Sequence, residues 1–340
     1  MSIAVCLVVD DQGRVSSDVG RPRVNEDELG RAAAEKATDF FDRFHLGLLI
    51  AISPTLAYQE GLRIIAECRK ADAEAFDAVP KGTLYYWLGV AAYLTHDFDG
   101  AALLMGNAAE EDLTYSRGAV QDTPAELFLT LKGDDTHQAA GRLVSQLEQG
   151  LSDLVQSYNV LAQGAFPPIA VEDVRASLLL PALQSGTGVN RTACATLLAY
   201  LAEYPERLAQ LQSRALPASN GPFYLHLAKG CLLFETLLKC RPGADPRTKT
   251  TLRMLLKDLA EPLGLRGIAT ANATFGEVLL ELAAAPSTLG SAVSLCARTR
   301  NTLMHSLEWQ EPIAPEEYSR LYRLIGASCL HAIASLYEGA

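Results

Sequence analysis

The segment CARTRNTLMHSLEW, residues 296–309, places guanidinium, carboxamide and imidazole groups within a stretch of otherwise apolar, helix-forming character. Arg300, Asn301 and His305 have side chains suited to chemistry on a phosphate group. A histidine titrates near neutral pH and can act as a general acid or base. An arginine presents a permanent planar cation that matches phosphate oxygens, and a neighbouring asparagine can hold the imidazole or a phosphate oxygen. We therefore predict these three as the catalytic residues.

Helix spacing places the three side chains on different faces. Successive residues turn by about 100° around a helix, so Asn301 and His305, four residues apart, share a face. Arg300 lies about 140° around the helix from His305, too far for the two side chains to stack directly. Either the arginine side chain curls around the helix, or a second copy of the helix completes the site.

Two further charged residues are candidates for substrate binding. Arg298 is predicted to contact a backbone phosphate or to face solvent. Glu235 is predicted either to orient the motif or to be a surface acid paired with Lys239, one helical turn away. His226 and His331 lie among apolar residues, which is typical of structural rather than catalytic histidines.

Positive charge is concentrated in the C-terminal part of the chain. The net charge is −11, so the surface as a whole does not attract nucleic acid. Residues 206–266 nevertheless hold ten basic and five acidic residues, a local charge of +5 that leaves −16 for the rest. A phosphate-contacting site would need such a local excess. A solvated basic helix face is the alternative interpretation.

The elements that must position the motif are predicted to be helices. Alanine and leucine are abundant, and no alternating strand pattern occurs beyond the first ten residues. The linker ALPASNGP, residues 215–222, is the strongest candidate for a domain boundary. Four helices are predicted after it: 223–240, from the Asp245–Pro246 cap to 260, from Thr274 to 307 with an interruption at Pro286, and from Pro315 onward. Their broad apolar faces indicate a compact bundle.

The preceding part of the chain is also predicted to be helical. We predict helices from Asn25 to the mid-forties and at 54–76, 124–132, 137–160, 171–184, 190–202 and 205–215. Residues 82–113 resemble one tetratricopeptide repeat (TPR), because Tyr85, Leu88, Gly89, Ala92, Phe98, Ala101 and Ala108 occupy its large and small packing positions. Met105 and the absence of a closing proline depart from that pattern. In that arrangement the helices at 55–76 and 124–132 would stack on the repeat as degenerate units. An ordinary helical hairpin is the alternative.

The motif Arg300-Asn301-x-x-x-His305, in the third helix of a terminal bundle, resembles the signature of the HEPN superfamily (higher eukaryote and prokaryote nucleotide-binding domains). The resemblance covers roughly residues 220–340. It implies a metal-independent ribonuclease, as in effectors of type III CRISPR systems, toxins and anti-phage proteins. It also implies a homodimer in which both motifs line one positively charged cleft. The nucleophile would be the 2′-hydroxyl of RNA, so we expect no metal and no cofactor.

The predicted fold class is all-α. A lead of short strand and loop spans 1–24, a TPR-like helical region 25–160, connecting helices 161–215, and a HEPN-like bundle of four to five helices 216–340. The predicted function is endoribonuclease cleavage of single-stranded RNA, leaving 2′,3′-cyclic phosphate ends, in prokaryotic defence or stress response. The helical repeats would bind a regulatory protein or antitoxin.

Two alternative functions belong to other classes. One is a non-catalytic scaffold that binds nucleotides or proteins, and the other is a HEPN toxin controlled by a nucleotidyltransferase antitoxin. The seven cysteines are scattered without C-x-x-C spacing, which predicts small buried side chains in a reducing compartment. The apolar start MSIAVCLVV has no basic lead and is followed by two aspartates. It is therefore a poor signal peptide, and we expect a cytoplasmic protein without a membrane span.

Overall fold

The structure is a computed structural model. It describes residues 7–9, 15–17, 50, 52–115, 123–132, 138–184, 188–213, 219–245, 250–284, 286–305 and 311–337. The helix predicted from Asn25 to the mid-forties lies outside these residues. Among the described helices, none combines the length and apolar character needed to cross a membrane.

The described part of the chain is α-helical apart from one short hairpin. Strands β1 (Leu7–Val9) and β2 (Val15–Ser17) pair antiparallel, with Val8 opposite Ser16. The first strand agrees with the prediction for the apolar start of the chain. The second corrects it, because residues 11–24 were expected to be loop. Pairing with β1 supplies partners for part of the backbone of these three residues, a nonlocal effect that their composition does not indicate.

The first group of helices comprises α1 (Pro54–Ala71), α2 (Ala73–Asp77), α3 (Gly82–Leu94), α4 (Phe98–Tyr115) and α5 (Pro124–Leu129). Ser53 and Thr123 cap α1 and α5, each followed by a proline, as predicted. The single helix predicted at 54–76 is wrong. Asp72 has an extended backbone and its carboxylate accepts a hydrogen bond from the Ala75 amide, so it ends one helix and caps the next.

Helices α3 and α4 form the predicted hairpin, with α1 and α5 packed against it. Gly89 faces Met105 across this hairpin, and a Cβ atom at Gly89 would lie 3.0 Å from the methionine Cε. Ala92, Ala101 and Ala108 are buried in the same hairpin. The small residues therefore allow the two helices to pack closely. The hairpin is confirmed, and its identity as a TPR-like repeat stays a prediction.

The middle of the chain comprises α6 (Gln138–Ala162), α7 (Val171–Val174), a π-helical turn (Arg175–Leu179), α8 (Leu180–Gln184) and α9 (Gly188–Gln212). The prediction of separate helices at 190–202 and 205–215 is wrong, because Pro205 lies inside α9. An interior proline costs about 3 kcal/mol. Burial of neighbouring Leu198, Tyr200 and Leu201 offsets that cost.

The C-terminal helices are α10 (Gly221–Lys239), α11 (Leu252–Asp258), α12 (Phe275–Ala283), α13 (Leu289–His305) and α14 (Pro315–Leu336). Thr274 caps α12 and Pro315 begins α14, as predicted. The predicted Asp245–Pro246 start is wrong, since α11 begins at Leu252. Thr251 is its cap, with Oγ1 accepting from the Met254 amide at 3.3 Å.

Helix α14 joins the two parts of the chain in one core. It packs against α10 and α13 and also against α6. A Cβ atom at Gly326 would lie 2.6 Å from Leu154 Cδ2 on α6, so any larger residue here would displace the Leu154 side chain. The hydrophobic core is therefore continuous across the linker at 215–222. The domain boundary at residues 215–222 stays a prediction.

Candidate functional site

Arg300 on α13 is held by Glu235 on α10. The Glu235 side chain is 8% exposed; its Oε2 accepts from Arg300 Nε at 2.9 Å, and its Oε1 accepts from Lys239 Nζ at 2.6 Å. The two contacts proposed as alternatives from the sequence thus occur together. Glu235 is not a surface acid, because its position on α10 faces α13 within the bundle.

Asn301 fixes the other side of the guanidinium. Its Oδ1 accepts from Arg300 Nη1 at 3.3 Å, and its Nδ2 donates to the Thr270 carbonyl at 3.0 Å. Among the described residues, none accepts a hydrogen bond from Arg300 Nη2. The Arg300 side chain is 22% exposed. The guanidinium is therefore held in a fixed orientation at two of its three nitrogens.

His305 is the last residue of α13. Its side chain lies outside the described part of the structure, as does its predicted contact with Asn301. The backbone of α13 runs as a helix through both Arg300 and His305. The angular separation of about 140° therefore applies to their positions on α13.

Arg298 pairs with a carboxylate instead of facing solvent. Its Nη1 forms an ion pair with Glu281 on α12, and its side chain is only 17% exposed. The next turn is tied to the same region, because Thr302 Oγ1 lies 2.8 Å from the Ala273 carbonyl, which it can donate to. Arg298 thus connects α13 with α12. Its predicted phosphate contact would require that ion pair to open.

Three thiols lie beneath the Glu235–Arg300 pair. Cys231, Cys296 and Cys329 are buried. Burial, and then a hydrogen bond with Cys296, raises the pKa of the Cys231 thiol well above its ordinary value. It is therefore protonated and unreactive at neutral pH. Of the six described cysteines five are buried, which confirms the prediction of small buried side chains; Cys6 lies outside the described residues.

Cys231 precedes Glu235 by four residues, and Cys296 precedes Arg300 by four. The contact between Cys231 and Cys296 and the contact between Glu235 and Arg300 therefore join residues that are equally far apart along the chain. Helices α10 and α13 accordingly run parallel past each other, with the thiols one turn before the ion pair. This alignment of the two helices brings the Glu235 carboxylate within hydrogen-bonding distance of Arg300.

The two histidines assigned a structural role are buried. His226 Nε2 donates to the Tyr200 carbonyl at 2.9 Å, and its Nδ1 accepts from the Tyr318 hydroxyl at 2.6 Å. Burial lowers the pKa of His226 to about 4. His331 Nε2 donates to the Leu263 carbonyl at 2.8 Å. Both are core histidines rather than catalytic ones, as expected; the ring of His226 is satisfied at both nitrogens, whereas the buried Nδ1 of His331 has no partner among the described residues.

Six of the ten basic residues in 206–266 fall into two groups. Arg207 and Lys229 form ion pairs with Glu203, and Lys239 pairs with Glu235. A second group lines a cleft of about 530 Å³ beside the loop that contains Thr270; it comprises Arg253, Lys257 and Arg266. The sequence interpretation missed this cleft and the Thr270 carbonyl. The only available signal was the spacing of two cations by four residues on α11.

Comparison of the chain with models of protein families, with curated proteins and with solved structures finds no match. Within the described residues, no group of three or more histidine, cysteine, aspartate or glutamate side chains is arranged to hold a metal ion.

Proposed function

We propose that the protein is a metal-independent endoribonuclease of the HEPN type, with Arg300, Asn301 and His305 as its catalytic residues and single-stranded RNA as its substrate. One observation carries the proposal. Glu235 and Asn301 hold the Arg300 guanidinium at two nitrogens, and no described residue occupies the third. A cation fixed before the substrate arrives stabilises developing negative charge without reorganisation.

The chemistry needs no nucleophile from the enzyme. The imidazole of His305 takes the proton of the 2′-hydroxyl, and the 2′-oxygen attacks the adjacent phosphorus. The bond from phosphorus to the 5′-oxygen breaks, and the leaving oxygen takes a proton from an imidazolium. The products are a 2′,3′-cyclic phosphate and a 5′-hydroxyl. Arg300 donates to the non-bridging oxygens, which gain charge in the transition state.

A second copy of the chain supplies the second imidazole in this scheme. The positions of Arg300 and His305 differ by about 140° around α13, so a twofold axis near them brings one arginine towards the partner's histidine. Met304 supports such an interface. It lies four residues after Arg300, on the same helix face, and is 46% exposed. Covering a large apolar side chain favours association.

The test is cleavage of a labelled single-stranded RNA in EDTA. We expect the wild type to produce 2′,3′-cyclic phosphate ends. Arg300→Ala and His305→Ala should each lower the rate by about 100-fold or more, as for the loss of other transition-state donors. Arg63→Ala is the matched control, because Arg63 is an exposed arginine on α1 paired with carboxylates in its own helix. Loss of cleavage in EDTA, or an unchanged rate for Arg300→Ala, contradicts the proposal.

A non-catalytic scaffold is the second candidate. The shared carboxylate of Glu235 favours it, because Arg300 already has a counter-ion and would serve to hold α10 against α13. In that case RNA or a protein partner binds, no RNA is cut by the wild type, and the Arg300→Ala variant loses stability. The α3–α4 hairpin is then the region proposed to bind a regulatory protein or antitoxin.

A further inference from the structure

A cleft lies between α11 and the loop that follows it. Its volume is about 530 Å³. Its apolar lining comes from Leu256, Ala260, Leu265 and Ile268, and its cations are Arg253, Lys257 and Arg266. A concave surface of this size that combines apolar lining with a few charged groups has the character of a ligand site.

The charge of the cleft is not neutralised by the described residues. Arg253, Lys257 and Arg266 are exposed, and none forms an ion pair with a described carboxylate. Asp258 and Glu261, the acids nearest in sequence, do not line the cleft. Two like charges four residues apart on a helix repel each other. The arrangement therefore costs stability in the free protein and is relieved by a bound anion.

The wall of the cleft is attached to the helix that carries the motif. Thr270 lines the cleft, and its carbonyl accepts from Asn301 Nδ2 at 3.0 Å. The preceding residue, Ala269, donates its amide to Ser294 Oγ on α13 at 3.1 Å. A ligand in the cleft is thus separated from the Arg300–Asn301 pair by one segment of loop backbone.

We propose that this cleft binds phosphate groups of the substrate RNA that neighbour the scissile phosphate along the same strand. The inference rests on the proposed function for the choice of RNA as ligand. Arg253 and Lys257 are one helical turn apart, about 5–6 Å between Cβ atoms, which suits contact with more than one phosphate of an extended strand. The apolar lining packs against sugars or bases. Among the described residues that line the cleft none is aromatic, so the affinity they provide is mainly electrostatic and tolerant of sequence.

The salt dependence of binding measures this directly. Each phosphate neutralised on a single strand contributes roughly −0.7 to the slope of log K against log [salt], so three contacts contribute roughly −2. When the salt concentration rises from 50 to 200 mM, the loss of these three contacts weakens RNA binding by about 20-fold. With two of the three cations removed, the same rise in salt weakens the remaining contribution of the cleft by only about 3-fold.

The experiment uses fluorescence anisotropy of a labelled oligouridylate RNA with the full chain carrying Arg300→Ala, in which cleavage should be slower by about 100-fold or more. In that background we compare Arg253→Gln/Lys257→Gln with Lys70→Gln/Lys132→Gln. The control pair consists of exposed lysines on other elements and removes the same charge. We expect the slope to become shallower by roughly 1.4 for the first pair and to stay unchanged for the control.

A second variant guards against misfolding. Arg266→Gln changes an exposed loop residue, and it should make the slope shallower by roughly 0.7. Equal slopes for the cleft and control variants overturn the inference. It is also overturned if the cleft binds a mononucleotide but the cleft substitutions leave RNA binding unchanged. RNA binding with the predicted slopes, but without cleavage by the wild type, contradicts the proposed function and leaves the cleft as an RNA site.

Discussion

Replacement of Glu235 by glutamine tests the central contact of the candidate site. The change keeps the shape of the side chain and one carbonyl oxygen that can accept from Arg300, but it removes the charge shared by Arg300 and Lys239. Breaking a buried ion pair by removing one partner costs about 3–5 kcal/mol. Here Arg300 is 22% and Lys239 33% exposed, so water screens part of the loss. We expect destabilisation of about 2 kcal/mol.

The same variant should separate binding from catalysis. Without the carboxylate, the Arg300 cation is less neutralised and attracts RNA more strongly, so KM should fall. Its guanidinium is also held less firmly relative to the scissile phosphate, so kcat should fall by about 10-fold, which corresponds to about 1.4 kcal/mol of transition-state stabilisation. The fall in KM then reports stronger binding of the ground state, and the fall in kcat reports lost stabilisation of the transition state.

Chemical denaturation and steady-state cleavage are the two measurements. Lys239→Gln is the matched control, because it removes the other partner of Glu235 and leaves the contact with Arg300 in place. It should change stability by less than about 1 kcal/mol and leave kcat unchanged. If Glu235→Gln unfolds at the wild-type denaturant concentration and cleaves with unchanged kcat, then Glu235 does not hold Arg300, and the reasoning is refuted.

Three further predictions concern the core. The pKa of His226 is about 4 in the folded protein against 6.5 ordinarily, so protonation favours the unfolded chain. The contribution of neutral His226 to the free energy of unfolding is complete above about pH 6.5 and falls by about 1.4 kcal/mol per pH unit towards pH 4. In denaturation curves, His226→Gln should reduce this dependence of stability on pH. Gly230→Ala should destabilise by about 2 kcal/mol, because its Cβ would lie 2.6 Å from the Tyr200 ring. Gly106→Ala, with nothing within 4 Å, should stabilise α4 by up to about 1 kcal/mol; equal melting temperatures for the two would contradict the packing. Thr302→Val removes a hydroxyl within hydrogen-bonding distance of two carbonyls and should cost about 1 kcal/mol in thermal unfolding; no change would show that these contacts contribute nothing.

The sequence predicted those features of the fold that local chemistry determines. Helix starts at Ser53, Thr123 and Thr274 follow from a side-chain oxygen that accepts from an amide three residues on, a pattern readable within one turn. Pro205 shows the limit of such rules. A proline ordinarily interrupts a helix, but packing of the surrounding residues keeps α9 continuous.

The candidate site was predictable only in part. The types and spacing of Arg300 and Asn301 are visible in the sequence, but the contact between Arg300 and Glu235 depends on how α10 pairs with α13. The Thr270 carbonyl is a backbone group and has no signature in the sequence. A carbonyl becomes a partner for Asn301 only when the loop reaches α13. Such contacts arise from tertiary packing, which local propensity does not encode.

The central position of α14 affects when the protein can fold during synthesis. This helix follows the other described helices along the chain, and it covers apolar surface on α6, α10 and α13. A nascent chain folds from its N-terminal part first, so those surfaces stay uncovered until residues 315–336 have left the ribosome. Chains that stop before that point lack the layer that holds α10 beside α13. An intact Glu235–Arg300 contact is thus available only to chains translated past α14, and truncated products should be inactive and prone to aggregate.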